Sequence, residues 1–252
     1  MRWMIIAFVF CVGCRTPERA PSPTATPSTT KAAPTSSEGS SIPTTASAAV
    51  ADSATNNATT REWSFEGDTE GSAPLGFSFG RTGTGHEGKW IVRAEPGAPS
   101  GSNVIAQTDA DTTDDRFPVA FTVDTFPADA DVSVKCKPVS GAVDRACGLV
   151  LRLSDANNYY LTRANALENN VRFYVVRGGH RRQLASWTGS VTAGAWHDYR
   201  ITAIGDHFEI FWDGSKVLDT KDSTFTGGGR IGVWTKADSV TYFDNLSVKP
   251  LR

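Results

Sequence analysis

The sequence predicts an all-β domain, and three features carry that prediction. Short apolar or alternating runs recur from Trp63 to the C-terminus, separated by clusters of Gly, Asp, Asn and Pro. No segment sustains a helical period, and "RANALENN" (163–170) offers one helical turn at most. Asp213-Gly214 sits between two such runs and supplies the positive φ angles of a type I′ hairpin turn. About a dozen strands in one domain is a sandwich or barrel pattern and not α/β.

The elements follow in order. "FSFG" (77–80) and "KWIVRA" (89–94) open the series. "FPVAFTV" (117–123) and "DVSVKC" (131–136) follow as further short apolar or alternating runs. "GLVLRL" (148–153) and "YYLTRA" (159–164) flank the polar turn Asp155-Ala156-Asn157-Asn158, which reads as a hairpin. "VRFYVV" (171–176) and "QLASW" (183–187) flank the basic segment "RGGHRR" (177–182), expected as a solvated hairpin loop. "WHDYRITA" (196–203), "HFEIFWDG" (207–214) and "KVLDT" (216–220) surround the Asp213-Gly214 turn, and "GRIGVW" (229–234) and "YFDNLSV" (242–248) close the domain.

The chain has 252 residues, but large apolar side chains are scarce between its first dozen residues and Trp63. The first segment, "MRWMIIAFVFCVGC" (1–14), carries Arg2 and then an apolar run from Trp3 to Val12. That run is too short for a bilayer core needing about 20 residues but suits a signal peptide. Residues 15–61 are rich in Pro, Ser, Thr and Ala and have almost nothing to bury, so disorder is expected. As a flexible coil such a tether reaches about 40 Å. Asn57-Ala58-Thr59 matches a glycosylation acceptor and receives little weight. Residues 62–252 remain for one domain, able to bury roughly 70% of its unfolded surface.

A formal charge of −2 and a pI near 6.1 show no basic excess for neutralising phosphates, so no nucleic-acid partner is expected. Cys136 and Cys147 stand in strand-like runs and are expected to pair as a cross-strand disulfide in an oxidising compartment.

Two stretches carry a resemblance. "WHDYRITAIGDHFEIFWDGSKVLD" (196–219) resembles the core of laminin G and concanavalin A-like jelly rolls, and "GGGRIGVWTKADSVTYFDNLSV" (227–248) resembles their final strands. In particular the domain resembles bacterial 3-keto-disaccharide (3-keto-glycoside) hydrolase domains. The resemblance covers roughly Trp63 to the C-terminus and implies a two-sheet antiparallel jelly-roll sandwich. It leaves the chemistry open, because this fold hosts lectins, glycosidases and adhesive modules. Likewise Gly13-Cys14 resembles a bacterial lipoprotein processing site, which implies lipidation of Cys14. Cys11 stands where such signals usually carry leucine, so plain secretion is the alternative. The implied location is the cell envelope, with the membrane engaged through the lipid anchor alone.

Catalytic motifs fail on context. "GFSFG" (76–80) matches G-x-S-x-G, but Ser78 lies in a strand and not at a strand-to-helix turn. "GTGHEG" (83–88) matches G-x-G-x-x-G, yet a strand follows where a phosphate-binding helix is needed. His86, His180, His197 and His207 lack zinc-ligand spacing. Glycosidases need two carboxylates across the scissile bond, and the strand acids Asp198, Glu209 and Asp244 stand apart. The E-x-D-x-x-E run of related jelly-roll glucanases is absent.

Strand parity suggests a binding face instead. If Leu149, Leu151, Leu153, Tyr159, Leu161, Val171, Phe173 and Val175 are core, then Arg152, Tyr160, Thr162, Arg172 and Tyr174 share the outer face. Trp187 and Trp234 are candidate platforms beside them, and Arg163 falls on the core parity at a strand end. Guanidinium and phenol groups bond sugar hydroxyls while rings stack on the apolar sugar face. The same residues also suit plain cross-strand stabilisation. No cofactor is required; the one metal the sequence offers is a structural calcium at Glu66, Asp68 and Asp244, if the terminal strands pair. The leading expectation is therefore an exported, lipid-anchored, non-catalytic module that binds a glycan or surface polysaccharide. The alternatives are a 3-keto-disaccharide hydrolase-type enzyme and a structural or protein-binding envelope module.

Overall fold

The computed structural model describes residues 59–251. The signal segment, Cys14, Asn57 and nearly all of the expected linker lie outside the described residues. The rest is a sandwich of two antiparallel sheets with no helix among the described residues.

The first sheet runs β13 (Ser215–Lys221), β12 (His207–Trp212), β11 (His197–Ile204), β6 (Ala130–Ser140), β15 (Val240–Pro250), β4 (Asn103–Gln107) and β3 (Trp90–Ala94). Here β1 (Arg61–Trp63) also pairs with β15, so the two ends of the domain meet. The second sheet runs β10 (His180–Thr188), β9 (Asn170–Arg177), β8 (Asn158–Asn165), β7 (Ala146–Asp155), β14 (Arg230–Trp234), β5 (Arg116–Thr122) and β2 (Phe77–Gly83). The 163–170 segment, which allowed a helical turn, is strand end and tight turn.

Hairpin chemistry sets the local registers. Asp213 and Gly214 both take positive φ between Trp212 and Ser215, as a type I′ turn requires. Gly178 and Gly179 do the same between Arg177 and His180. Between the sheets lies the main core, with Leu149, Leu151, Tyr160, Phe173, Tyr199, Phe208, Ile210 and Phe243 all at most 2% exposed. Each large apolar side chain so buried contributes roughly 1.5–3 kcal/mol. The Cys136–Cys147 disulfide forms, but its strands β6 and β7 belong to opposite sheets, so it staples the sandwich through its core.

One irregularity reorders a face. In β7 the pairing with β8 shifts between Leu151 and Asp155, and Arg152 sits there at φ +50. A bulge inserts an extra residue and resets the alternation. Leu149 and Leu151 therefore point into the main core, while Leu153 joins an apolar cluster on the opposite, outer face.

Candidate functional site

The outer face of the second sheet is where side chains able to hold a polar ligand collect. Strand pairing aligns them: Arg163 stands opposite Arg172, Leu161 opposite Tyr174, and Gly148 opposite both Arg163 and Trp234. Phe117, Val119, Val150, Leu153, Tyr159, Leu161, Tyr174, Val176 and Trp234 form an apolar cluster there. Trp234 stacks on Phe117 with centroids 5.6 Å apart. The Tyr159 hydroxyl lies 2.8 Å from Thr82 Oγ1, and burial pushes its pKa up to about 12.

Arg181 roofs this cluster. Its guanidinium lies 4.4 Å from the Phe117 centroid, 4.9 Å from that of Tyr174 and 5.9 Å from that of Trp234. Arg181 belongs to β10 at one edge of the sheet, and Phe117 belongs to β5, five strands away. At about 4.8 Å between neighbouring strands, one side chain spans that gap only if the sheet curls strongly. The outer face is thus concave at this end. A cavity of about 430 Å³ opens beside the roof, lined by Gly83, Asp115, Phe117, Gly178, Gly179, His180 and Arg181. The "RGGHRR" turn is accordingly part of the site wall, with Arg181 folded onto rings instead of solvated.

Toward the other end the face becomes charged. Arg163 Nη2 donates to Glu168 Oε2 at 3.2 Å and lies 3.4 Å from Tyr174 Oη. Arg172 reaches the same Glu168 oxygen at 3.1 Å, and Asn170 donates to it at 2.9 Å. Asp144 accepts from Asn165 at 2.9 Å and pairs with Lys236 at 3.2 Å; Lys236 also pairs with Asp114. Burial raises the Asp144 pKa, with Arg163 and Lys236 offsetting only part of the effect. The Arg163 side chain is 3% exposed, yet its Nε and Nη1 have no partner within the protein. Nε of Arg172 and Nη1 of Arg181 are likewise unpartnered. Val143 and Leu167 stand exposed on the loops that carry Asp144 and Glu168.

Of the residues expected on one face, Arg172, Tyr174 and Trp234 are on it, and four are not. Arg152, in the bulge, turns its guanidinium to the carbonyls of Ala128, Phe225 and Gly205 at 3.1, 2.7 and 2.8 Å. Tyr160 pairs with Leu151, points into the main core and bonds Asp222 at 2.7 Å. Thr162 also points inward and bonds Tyr199 across the sandwich at 2.6 Å. Trp187 packs on the main core from β10. Arg163, read as core parity, is outer, and Tyr159 and Leu161 are buried in the outer cluster. The β8 error comes from taking Tyr159 and Leu161 as core in a strand that is buried on both faces, while Arg152 is displaced by the irregularity in β7.

Of the expected calcium trio, Glu66 and Asp244 both close on the 100–103 loop, where burial and then the nearby Glu66 charge raise the Asp244 pKa, while Asp68 turns to Leu75. Glu66 accepts from the backbone amides of Ser102 and Asn103, Asp68 from Leu75, and Asp244 from Ser100 and Asn245. Each carboxylate is committed to a different set of amides. Among the described residues the one trio with ligand atoms within 4.8 Å is His207, Glu209 and Asp219. Lys216 already supplies a cation there, 2.8 Å from Glu209 and 2.9 Å from Asp219.

Comparison with known proteins places this geometry. Residues 87–249, more than half of the chain, match the 3-keto-α-glucoside-1,2-lyase-like domain family. A levanase of Bacillus subtilis (strain 168) is 27% identical over 124 residues, covering 48% of this chain but only 17% of the levanase. Among solved structures, the carbohydrate-binding module CBM66 from Bacillus subtilis superposes with a TM-score of 0.55 at 20% identity, covering 68% of this chain and 94% of that module. The exoplasmic/lumenal domain of VIP36, in its Ca²⁺- and mannose-bound form, superposes with a TM-score of 0.54 at 11% identity, covering 78% and 91%. These likenesses establish a lectin-type jelly-roll fold.

Proposed function

The chain belongs to the 3-keto-α-glucoside-1,2-lyase-like domain family, and from that premise we propose that it binds a glycan on the concave outer face of its second sheet. One observation carries this reading. Arg163, Arg172 and Arg181 converge on Tyr174 with guanidinium N–H groups that the protein itself leaves unpartnered. These donors are buried and costly to leave without partners, and an acceptor that reaches them would satisfy them. Sugar hydroxyls are such acceptors, and the rings of Phe117 and Trp234 supply the apolar contact. The CBM66 and VIP36 names, and the levanase match, agree with sugar recognition by this fold.

Titration calorimetry against a panel of α-glucosides, fructans and mannosides tests the reading. Arg172→Ala removes a charge-assisted donor worth about 1.5–3 kcal/mol, so affinity falls roughly 10- to 100-fold. An unchanged affinity in that variant removes Arg172 from the site, and the absence of any glycan binding removes the proposal. We further propose the cell envelope as the location, with Cys14 acylated; a Cys14→Ala chain should then leave the membrane fraction.

A second reading, eliminative cleavage of a 3-keto-glycoside, has its own support. The family description specifies that chemistry, and the Tyr174 hydroxyl stands among three guanidinium groups on the same face.

A further inference from the structure

The outer face of the first sheet carries a groove that plays no part in the concave site. Strand registers line up one row across it. Glu62 on β1 stands opposite Ser247 on β15, Ser247 opposite Ser133 on β6, Ser133 opposite Arg200 on β11, and Arg200 opposite Phe211 on β12. Directly paired residues of neighbouring strands share a face, so the whole row points outward. Two serines at its centre, with longer side chains at both ends, leave a depression. Cavities of about 300 and about 290 Å³ adjoin there and share Ser133 and Asp198. The first reaches Lys135, Asn245, Ser247 and Glu62; the second reaches Arg200, Phe211 and Gly214. From β15 to β12 the pair spans three strand intervals, about 14 Å.

The chemistry of the lining selects a ligand class. Lys135 pairs with Asp198, and Arg200 forks onto Asp131 at 2.8 and 2.6 Å, so the cations are matched inside the protein. Glu62 adds a carboxylate with no cationic partner among the described residues. That balance disfavours an anionic polymer and leaves an acceptor for hydroxyls. Asn245 sits at φ +50 where the β15 register shifts, and bulges of this kind re-aim a side chain. Its Oδ1 lies 2.7 Å from Ser100 Oγ, which leaves the amide NH₂ free. The Ser133 and Ser247 hydroxyls likewise have no partner among the described residues. At the far end the Phe211 ring is half-buried, with the Arg200 guanidinium packed at 4.8 Å from its centroid. Uncharged donors and acceptors in a row that ends on a ring suit a sugar chain, whose hydroxyls bond and whose apolar faces stack.

We propose that this groove is a second binding site, for an uncharged oligosaccharide lying across β15, β6, β11 and β12. It shares no residue with the concave face and stands independently of the reading given to that face. Glu62, Ser247, Ser133 and Asn245 bond hydroxyls at one end, and Phe211 takes the apolar face of a ring at the other. With both sites filled, the chain holds glycan on both sides of the sandwich and bridges two sugar chains.

Calorimetry and amide chemical-shift mapping on the full chain test this site. Maltoheptaose, an inulin heptamer and mannoheptaose serve as neutral probes, and polygalacturonate as the anionic one. A neutral probe should shift the amides of Ser133, Asn245, Ser247 and Phe211, and those shifts should persist in Arg172→Ala. Ser133→Trp fills the junction of the two cavities and should weaken groove binding roughly 10-fold or more. Phe211→Ala and Asn245→Ala, the latter a milder change to the surface, should each weaken it roughly 3- to 10-fold. Thermal melts establish that each variant is folded. No shift at these amides with any neutral probe overturns the proposal, as does groove affinity unchanged in folded Ser133→Trp. Polygalacturonate bound more tightly than every neutral probe overturns the ligand class. Self-association of the chain that Ser133→Trp abolishes assigns the groove to a second copy and overturns the proposal. Shifts in the groove alone uphold it and remove the concave-face reading; shifts at Arg172 and Tyr174 alone do the reverse.

Discussion

Replacing Arg152 with methionine separates a structural clamp from a ligand contact. Its guanidinium donates to three backbone carbonyls, Ala128, Phe225 and Gly205, from three different loops, and its side chain is 1% exposed. It also packs against the Phe208 ring at 5.0 Å. Methionine keeps the aliphatic stem and that packing but removes every donor. Hydrogen bonds to a charged group are worth about 1.5–3 kcal/mol each. The three are not additive, and loop carbonyls regain water once the clamp is gone, so a total of about 3–5 kcal/mol is expected. For a domain of this size that lowers Tm by roughly 6–20 °C. Urea melts and calorimetry on one preparation check the claim. The expected result is a large loss of stability with glycan affinity unchanged below the new melting transition. A variant as stable as the wild type but unable to bind sugar would refute the argument and return Arg152 to the binding face.

Other outcomes follow from the same geometry. The Cys136–Cys147 disulfide closes a loop of sequence separation 11, so the paired alanine variant should lose about 3 kcal/mol in a denaturant melt. Burial opposes ionisation of Asp222, but bonds from Thr224, Tyr160 and Arg182 outweigh it and hold its pKa at about 2, below the ordinary 3.8. Its contribution, about 2 kcal/mol, is complete above the unfolded value and is lost as pH falls from about 4 towards 2; Asp222→Asn should flatten that acid limb. With Glu66, Asp68 and Asp244 committed to separate amides and Lys216 seated between Glu209 and Asp219, EDTA should leave Tm unmoved. A drop of several degrees would show a bound cation that this geometry does not predict.

Most strands, the Asp213-Gly214 hairpin and the Cys136–Cys147 pair were legible in the sequence, because period-two alternation and turn chemistry act over a few residues. "NVIAQ" at β4 was not, since a strand covered on both faces shows no alternation. The binding face was legible only in part. Arg172 and Tyr174 were placed on it from the β9 pattern alone. Arg152 was not, because a residue at positive φ interrupts the alternation within β7 and nothing in "LRLSD" marks it; Tyr160 and Thr162 were not, because β8 is buried on both faces and its sequence carries no alternation that tells them apart. Arg181 was legible as a basic turn residue and nothing more. Its seat over Phe117 and Trp234, residues 64 and 53 positions away along the chain (181 − 117 and 234 − 181), exists only because the sheet curls. Alternation and turns are properties of neighbours in sequence and were decided there; register across a bulge and the curl that brings far strands together depend on non-local pairing, which only the folded sandwich decides.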